Sequence, residues 1–279
     1  MHEALIHVCG LVAYDGTDYH GFQLQPGVPT IQGALEAAVE TVTGTQVRVI
    51  GSGRTDRGVH ARGQVIAMWV PWRHAAQSLQ RALNANLPAS IAVRQFRLAP
   101  SGFHPRFSAV DRTYRYTLYD WSEVEDRSAP RYSPLTDRFA LYMPHFLDLQ
   151  AMQAAVDQLI GTHDFATFGQ PTQGESTVRH LYSATWQVVT TTIASEVVST
   201  NSYPGRCLVF TVCANGFLRQ MVRNLVSTSL AVGRGDWGVE NVRRILEACD
   251  RSRCASPAPA QGLVLESVSY PADLVLWKE

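Results

Sequence analysis

An α+β fold of two ferredoxin-like βαββαβ halves, residues 1–104 and 105–279, is predicted by three features of this sequence. Alternating apolar strands and helical apolar stripes follow one another in the order β-α-β-β-α-β. The same order then comes round a second time. Polar or glycine-containing connections punctuate both passes. Mainly antiparallel sheets from the two halves are expected to join around a central active-site cleft.

Residues 4–13, ALIHVCGLVA, read as the first strand, and the polar loop YDGTDYHG follows. From Thr30 the period turns helical, with Ile31, Leu35, Ala38 and Val42 on one face and Gly44 as the stop signal. QVRVI (46–50) and QVIAMWV (64–70) read as two strands. A second helix carries Ala76, Leu79 and Leu83 inward and ends near Leu87-Pro88, before the strand IAVRQFRL. In the second pass FSAVDRTYRYTLYD forms a long strand on which Tyr114, Tyr116 and Leu118 share a face. An irregular stretch containing proline and charge comes next. Asp148 is placed to cap a helix with Leu149, Met152, Val156 and Leu159 inward. Strands near 178–191 and 206–214, helices over 216–232 and 239–249, and the strand GLVLESVSY complete the set.

Apolar residues make up 46% of the chain, enough to bury a real core. The sequence has no signal-peptide pattern and no apolar run near the roughly 20 residues of a membrane span, so a cytoplasmic protein without a membrane partner is expected. Five cysteines, with no C-x-x-C pair, read as free thiols, and the scattered histidines predict no metal site. Net charge is zero, which argues against an indiscriminately basic nucleic-acid coat. Lys278 is the single lysine; every other cation is arginine. Arginine's planar fork suits phosphate and stacked bases, though a GC-rich codon bias produces the same composition.

The connection GSGRTDRGVHARG, 51–63, concentrates four glycines, three arginines, an acid and a histidine between two strands. About a dozen residues are used where a hairpin needs two to five. Taken alone, Thr55-Asp56-Arg57-Gly58 fits an ordinary type I turn with glycine last. A phosphate loop is disfavoured: the spacing matches neither G-x-x-x-x-G-K-[ST] nor G-x-G-x-x-G, and no helix follows. A third reading is a catalytic carboxylate, Asp56, presented among arginines. The residues alone leave these open.

GSGRTDRGVHARGQV resembles the signature of the TruA family of tRNA pseudouridine synthases, GRTDxGVHA. YDGTDYHGFQLQP, TIQGALE, FHPRFSAVDRTYRY, GTHDFATF, GFLRQMVRNLV and APAQGLVLESV resemble the family's other blocks in order, so the likeness spans essentially the whole chain. Departures are small. Arg57 stands where alanine is frequent, Phe22 where tryptophan is, and Pro105 interrupts a block often written FHAR.

The resemblance implies an isomerase that detaches uracil from ribose, rotates it and rejoins it through carbon, with no cofactor. It further implies uridines 38, 39 and 40 of the tRNA anticodon stem-loop as substrate, a homodimer, and Asp56 as nucleophile. Whether Asp56 attacks the ribose C1′, attacks the uracil C6 or triggers loss of a ribose proton stays open. Such an acid must remain ionised in a partly closed pocket, and an adjacent guanidinium lowers its pKa by about 1–3 units. Arg223 is the implied guanidinium; Arg219 is expected one turn earlier on the same helix. Tyr114 is implied as the ring stacking on the target uracil, with Tyr116 next in line. Arg54 is implied to fill the space of the flipped base. Arg57, Arg62, Arg106, Arg112 and Arg115 are expected to add backbone contacts, or to be solvated charges.

Two rivals come from other classes. A silent RNA-binding module on the same fold lacks an RNP1-type run and leaves the intact acid unexplained. A phosphate-loop enzyme fails on spacing. Within the synthase reading, the alternative is a relative with another tRNA uridine target.

Overall fold

The computed structural model describes residues 5–121, 136–171, 176–189, 205–274 and 277. It is a mixed α and β protein with mostly antiparallel strands. The chain divides into two compact units, Met1–Arg112 with Val264–Glu279, and Thr113–Leu263. Relative to the expected division at 104/105, residues 105–112 and 264–279 thus fall with the first unit. Hydrogen bonds account for this. The Val110 N–H donates to the Ser269 carbonyl (2.9 Å) and the Tyr270 hydroxyl to the Pro105 carbonyl (2.7 Å), tying the end of that segment to the returning C-terminal chain.

In the first unit β1 (Leu5–Tyr14) lies between β4 (Ile91–Leu98) and β3 (His60–Pro71), antiparallel to both. The last strand, β10 (Leu263–Ser269), runs parallel to β3 through Val264↔His60 and Leu265↔Ala61. Helix α1 (Ile31–Thr43) starts where the Thr30 side chain accepts the Gly33 N–H, and stops at Gly44 in the left-handed region (φ 67°). Its Leu35 and Val39, with Leu79 and Leu83 of α2 (Ala76–Asn86), are fully buried. Each such side chain contributes roughly 1.5–3 kcal/mol. Cys9, Val65, Ala67 and Phe103 form a further buried cluster, against which Tyr270 and Trp277 pack. That leaves β3 buried along most of its length.

Three local expectations are corrected here. QVRVI is not a strand over 46–50; only Ile50–Gly51 (β2) pairs with β3. The backbone of Val49 instead bonds to side chains of α1, its N–H to Glu36 Oε1 (3.0 Å) and its carbonyl to Gln32 Nε2 (3.0 Å). The connection after it is shorter than the expected dozen, Ser52 to Val59, because β3 begins at His60, where β10 supplies a partner. Arg62 and Gly63 are therefore strand residues. The turn is also one residue later. Val59 N–H returns to the Asp56 carbonyl (3.1 Å), and Gly58 is third in the turn with φ 77°, the position that requires glycine in type II rather than type I.

In the second unit β5 (Asp111–Trp121) neighbours β9 (Gly205–Ala214), which neighbours β8 (Val178–Val189) and then β7 (Gly161–Asp164). A three-residue strand, β6 (Leu141–Met143), runs parallel to β5. Residues 190–191 of the expected strand, and most of the irregular stretch before β6, lie outside the described residues. Asp148 caps α3 (Leu149–Asp157) through the Ala151 N–H, and Met152, Val156 and Leu159 are buried as the spacing predicts. The buried Asp120 carboxylate receives Arg206 Nε (3.2 Å) and Nη2 and the Leu147 N–H (3.1 Å). Helix α4 (Met221–Gly233) begins five residues later than the expected 216. Gln220 sits in the left-handed region (φ 63°) and breaks the helical path there. Helix α5 (Glu240–Ala248) follows, ending at Cys249. No described helix is long and apolar enough to cross a membrane.

Candidate active site

In the first unit the Asp56 loop rests on close main-chain packing and a small buried hydrogen-bond network. A Cβ on Gly16 would lie 2.0 Å from the Val59 carbonyl oxygen, and one on Gly21 2.6 Å from that of Thr55. The loop YDGTDYHG can therefore lie directly against the backbone on either side of Asp56 only because these two positions have no side chain. The Thr55 carbonyl accepts the Phe22 N–H (3.1 Å), and the Tyr19 carbonyl accepts the Gly58 N–H (3.3 Å). The buried hydroxyls of Thr55 and Tyr14 share a hydrogen bond of 2.8 Å. Ser52 Oγ donates to Gln64 Oε1 (2.6 Å), and Gln64 Nε2 donates to the Gly53 carbonyl (2.9 Å). Burial raises the Tyr14 phenol far above its ordinary range, with Thr55 and Gln64 offsetting part of the effect, so it stays a neutral hydroxyl. Asp56 itself is half-buried at the head of the turn.

Arginines gather beside this loop. Arg112 Nη2 donates to the carbonyls of Arg106 (2.7 Å) and Ser52 (3.4 Å). Burial, and then the neighbouring Arg54 and Arg112, hold the Arg106 guanidinium below its ordinary value. Arg54, Arg106 and Arg112 therefore form one like-charged group, and an anion among them relieves their repulsion. Arg62 stands apart from it in a half-exposed ion pair with Glu266 (3.2 Å). Such pairs contribute about 0–1 kcal/mol and exchange readily for another anion. Arg57 is exposed at the turn.

The second unit holds Arg223 on α4. Its Nε donates to the Ala258 carbonyl (2.6 Å), while the Ala258 N–H donates to the Arg223 carbonyl (3.1 Å). The guanidinium is thus oriented by the main chain of APAQG, a role that no spacing rule predicts. Arg219 lies off the helix: its N–H pairs with the Gln170 carbonyl (2.9 Å), and its side chain is exposed. The expected Arg219–Arg223 helical pair does not form, because the helix begins only after Gln220. Tyr114 is buried edge-on against Phe217, with ring centres 5.2 Å apart. Tyr116 is fully buried and donates to the Pro259 carbonyl (2.9 Å), which makes it a core residue rather than a second stacking ring. A Cβ on Gly262 would meet the Tyr116 ring at 2.8 Å, so this glycine is part of the same packing. Burial raises the Tyr116 phenol despite the Arg223 charge. Phe217 and the Ala258 and Pro259 carbonyls were not singled out as site residues; their only sequence signal is membership in the GFLRQMVRNLV and APAQG blocks.

A family model for tRNA pseudouridine synthase matches residues 11–108 and 155–271, covering both the Asp56 loop and the Arg223 helix. The chain belongs to the tRNA pseudouridine synthase family. As a member it is an isomerase, and a tRNA pseudouridine synthase by class. Curated relatives agree over nearly the full length. The tRNA pseudouridine synthase A of Chloroflexus aurantiacus is 41% identical over 270 residues, covering 96% of this chain and 90% of that protein. That of Roseiflexus castenholzii is 41% identical over 262 residues, covering 94% and 90%. The Latilactobacillus sakei protein is 39% identical over 261 residues, covering 93% and 96%. Among solved structures, an archaeal box H/ACA ribonucleoprotein complex overlaps 80% of this chain and 54% of its own, at 9% identity and a TM-score of 0.31. So slight a likeness carries no argument.

Proposed function

We propose that this chain converts uridines 38, 39 and 40 of the tRNA anticodon stem-loop to pseudouridine, with Asp56 as the nucleophile. The observation that carries the proposal is the intact GRTDRGVHA run in a member of this family, with the backbone on both sides of its acid held by glycine contacts and hydrogen bonds. A nucleophile gains from being held in one orientation before substrate arrives. The target base leaves its stack to reach the acid, at a cost of a few kcal/mol. Arg54 fills the vacated space, and Arg106 and Arg112 beside it hold phosphates. Arg62, Arg57 and Arg115 add further backbone contacts.

Arg223 serves as the guanidinium that keeps Asp56 ionised, and Tyr114 as the ring beneath the target uracil. Their anchors, the Ala258 carbonyl and Phe217, support both assignments. The first-unit order β1-α1-β2-β3-α2-β4 supports a ferredoxin-like half, and the second half reads as the same unit carrying additional strands. A homodimer working in the cytoplasm completes the proposal, and sedimentation of the purified chain tests the dimer.

The deciding experiment incubates wild type and Asp56→Ala with tRNA tritiated at uridine C5. Wild type is expected to release tritium and the variant none. No release from wild type overturns the synthase function; release from Asp56→Ala overturns the role of Asp56. Mapping the modified positions separates uridines 38–40 from another tRNA target.

A further inference from the structure

Residues 103–108, FHPRFS, form a small rigid turn in the first unit that the roles above do not account for. The His104 N–H donates to Ser108 Oγ (3.1 Å), and the Ser108 N–H returns to the His104 carbonyl (3.0 Å). The ring nitrogen His104 Nδ1 accepts both the Arg106 N–H (3.1 Å) and the Phe107 N–H (3.2 Å). Beneath the turn, Phe103 and Pro105 are buried, and the Pro105 carbonyl takes the Tyr270 hydroxyl. All of this order holds Phe107 outward. It is 74% exposed, more than any other large apolar side chain described. Its ring lies 4.3 Å from that of His104, tilted by 30°, with the Arg106 guanidinium 6.0 Å from its centre.

A phenyl ring fixed in water by a well-bonded turn forgoes the burial that usually stabilises it. A mobile loop could fold such a ring away, whereas this turn has both its Nδ1 acceptor and its serine committed to the present shape. The surroundings identify what would cover the ring. Arg106 follows directly from the turn and belongs to the Arg54–Arg106–Arg112 group beside the Asp56 loop. A flat aromatic face beside one guanidinium, which in turn neighbours two more, matches one chemistry, an unstacked nucleobase with its phosphates. A second apolar protein surface would have to strip water from those charges. Two backbone N–H groups donate to His104 Nδ1, so the imidazole is neutral, with its proton on Nε2. Burial and the nearby Arg106 keep it so, and it adds area to the platform rather than charge.

We propose that Phe107, backed by His104, is a stacking ledge for a nucleobase of the RNA other than the target uridine, with the adjoining phosphates held by Arg54, Arg106 and Arg112. The proposal rests on the tRNA reading above and adds to its arginines a stacking surface, Phe107 with His104, to which that reading gives no role. Binding at the ledge positions the RNA; it takes no part in the bond rearrangement.

The test measures the affinity of wild type, Phe107→Ala, Phe107→Leu and Phe107→Trp for tRNA at one fixed salt concentration. Thermal melting of each variant confirms folding. Stacking on one base is expected to make Phe107→Ala and Phe107→Leu bind roughly ten- to a hundredfold more weakly, while Phe107→Trp stays near wild type. A tRNA carrying 2-aminopurine at loop positions near the target should show one position whose fluorescence is quenched by wild type and not by Phe107→Ala. Affinity of Phe107→Ala within about twofold of wild type overturns the ledge. Full binding by Phe107→Leu also overturns it, since leucine is apolar and cannot stack. Tritium release by wild type is scored separately. Release together with undiminished binding by Phe107→Ala means the ledge alone fails. Binding lost in Phe107→Ala without release from wild type means the synthase reading fails and the ledge stands.

Discussion

The two units hold their functional residues by different means. In the first unit Asp56 is carried by a loop with neutral supports: the Tyr14–Thr55 hydroxyl pair, the Ser52–Gln64 bond, and glycines that admit another backbone. In the second, Arg223 is held by one carbonyl of a distant segment, and the strand beneath Tyr114 also carries a buried ion pair, Asp120 with Arg206. Neutral bonds fix the shape of the Asp56 loop, and the charge beside it comes from Arg54, Arg106 and Arg112. An arginine keeps its charge in nearly any setting, so its support need only fix direction. The Asp56 loop is thus shaped by several neutral contacts, whereas Arg223 is aimed by a bond to the main chain.

Removing the ion pair has the largest expected consequence. Asp120→Ala leaves Arg206 beside an apolar core and the Leu147 N–H without its acceptor, and is expected to destabilise the protein by about 3–5 kcal/mol in urea titration. A loss below about 1 kcal/mol would show that the second unit does not depend on buried charge. Arg223→Lys comes next. Lysine cannot reproduce the Nε–Ala258 bond and the fork together, so tritium release should slow by roughly ten- to a hundredfold with melting unchanged. Near-normal turnover would remove Arg223 from the site. Tyr14→Phe deletes one neutral bond under the Asp56 loop and leaves the Thr55 hydroxyl buried without that partner. It should cost about 1–2 kcal/mol by the same titration. No change would mean that the Tyr14–Thr55 hydroxyl pair does not hold the loop.

The smallest expected effect is on pH dependence. Burial holds His104 and His7 below the ordinary 6.5. These imidazoles resist protonation when folded but take up protons near 6.5 when unfolded, so their contribution is present above 6.5 and lost as pH falls below it. His104→Asn retains an acceptor at the Nδ1 position without titrating. Its melting temperature should fall less than that of wild type between about pH 7 and about pH 5. Parallel curves would show that His104 does not resist protonation in the folded chain.

Much of this was legible in sequence because the signals are local. Period, caps and burial of α1, α2 and α3 follow from a few adjacent residues, and Thr30, Gly44 and Asp148 stand where such rules place them. The GRTDRGVHA run also declares the family within one segment. What failed depended mostly on neighbours outside the stretch that carries the pattern. QVRVI looks like a strand, yet Gln32 and Glu36 of α1 take the hydrogen bonds of Val49. Arg219 looks helical until Gln220 turns left-handed. Tyr114 and Tyr116 are alike by alternation, and only the packing of Gly262 and Pro259 makes Tyr116 core.

The sequence by itself therefore determined the family, most of the element order and the caps of α1 and α3. Those are properties of short stretches, and short-range physics decides them. Tertiary structure alone decided that the turn falls at Asp56–Val59, that β3 starts early against β10, and that Arg223 is aimed by Ala258. It also decided that Phe107 stands out in water beside Arg106, which itself neighbours Arg54 and Arg112. The early start of β3 and the aim of Arg223 require residues tens to hundreds of positions apart to meet, and no local pattern records such a meeting.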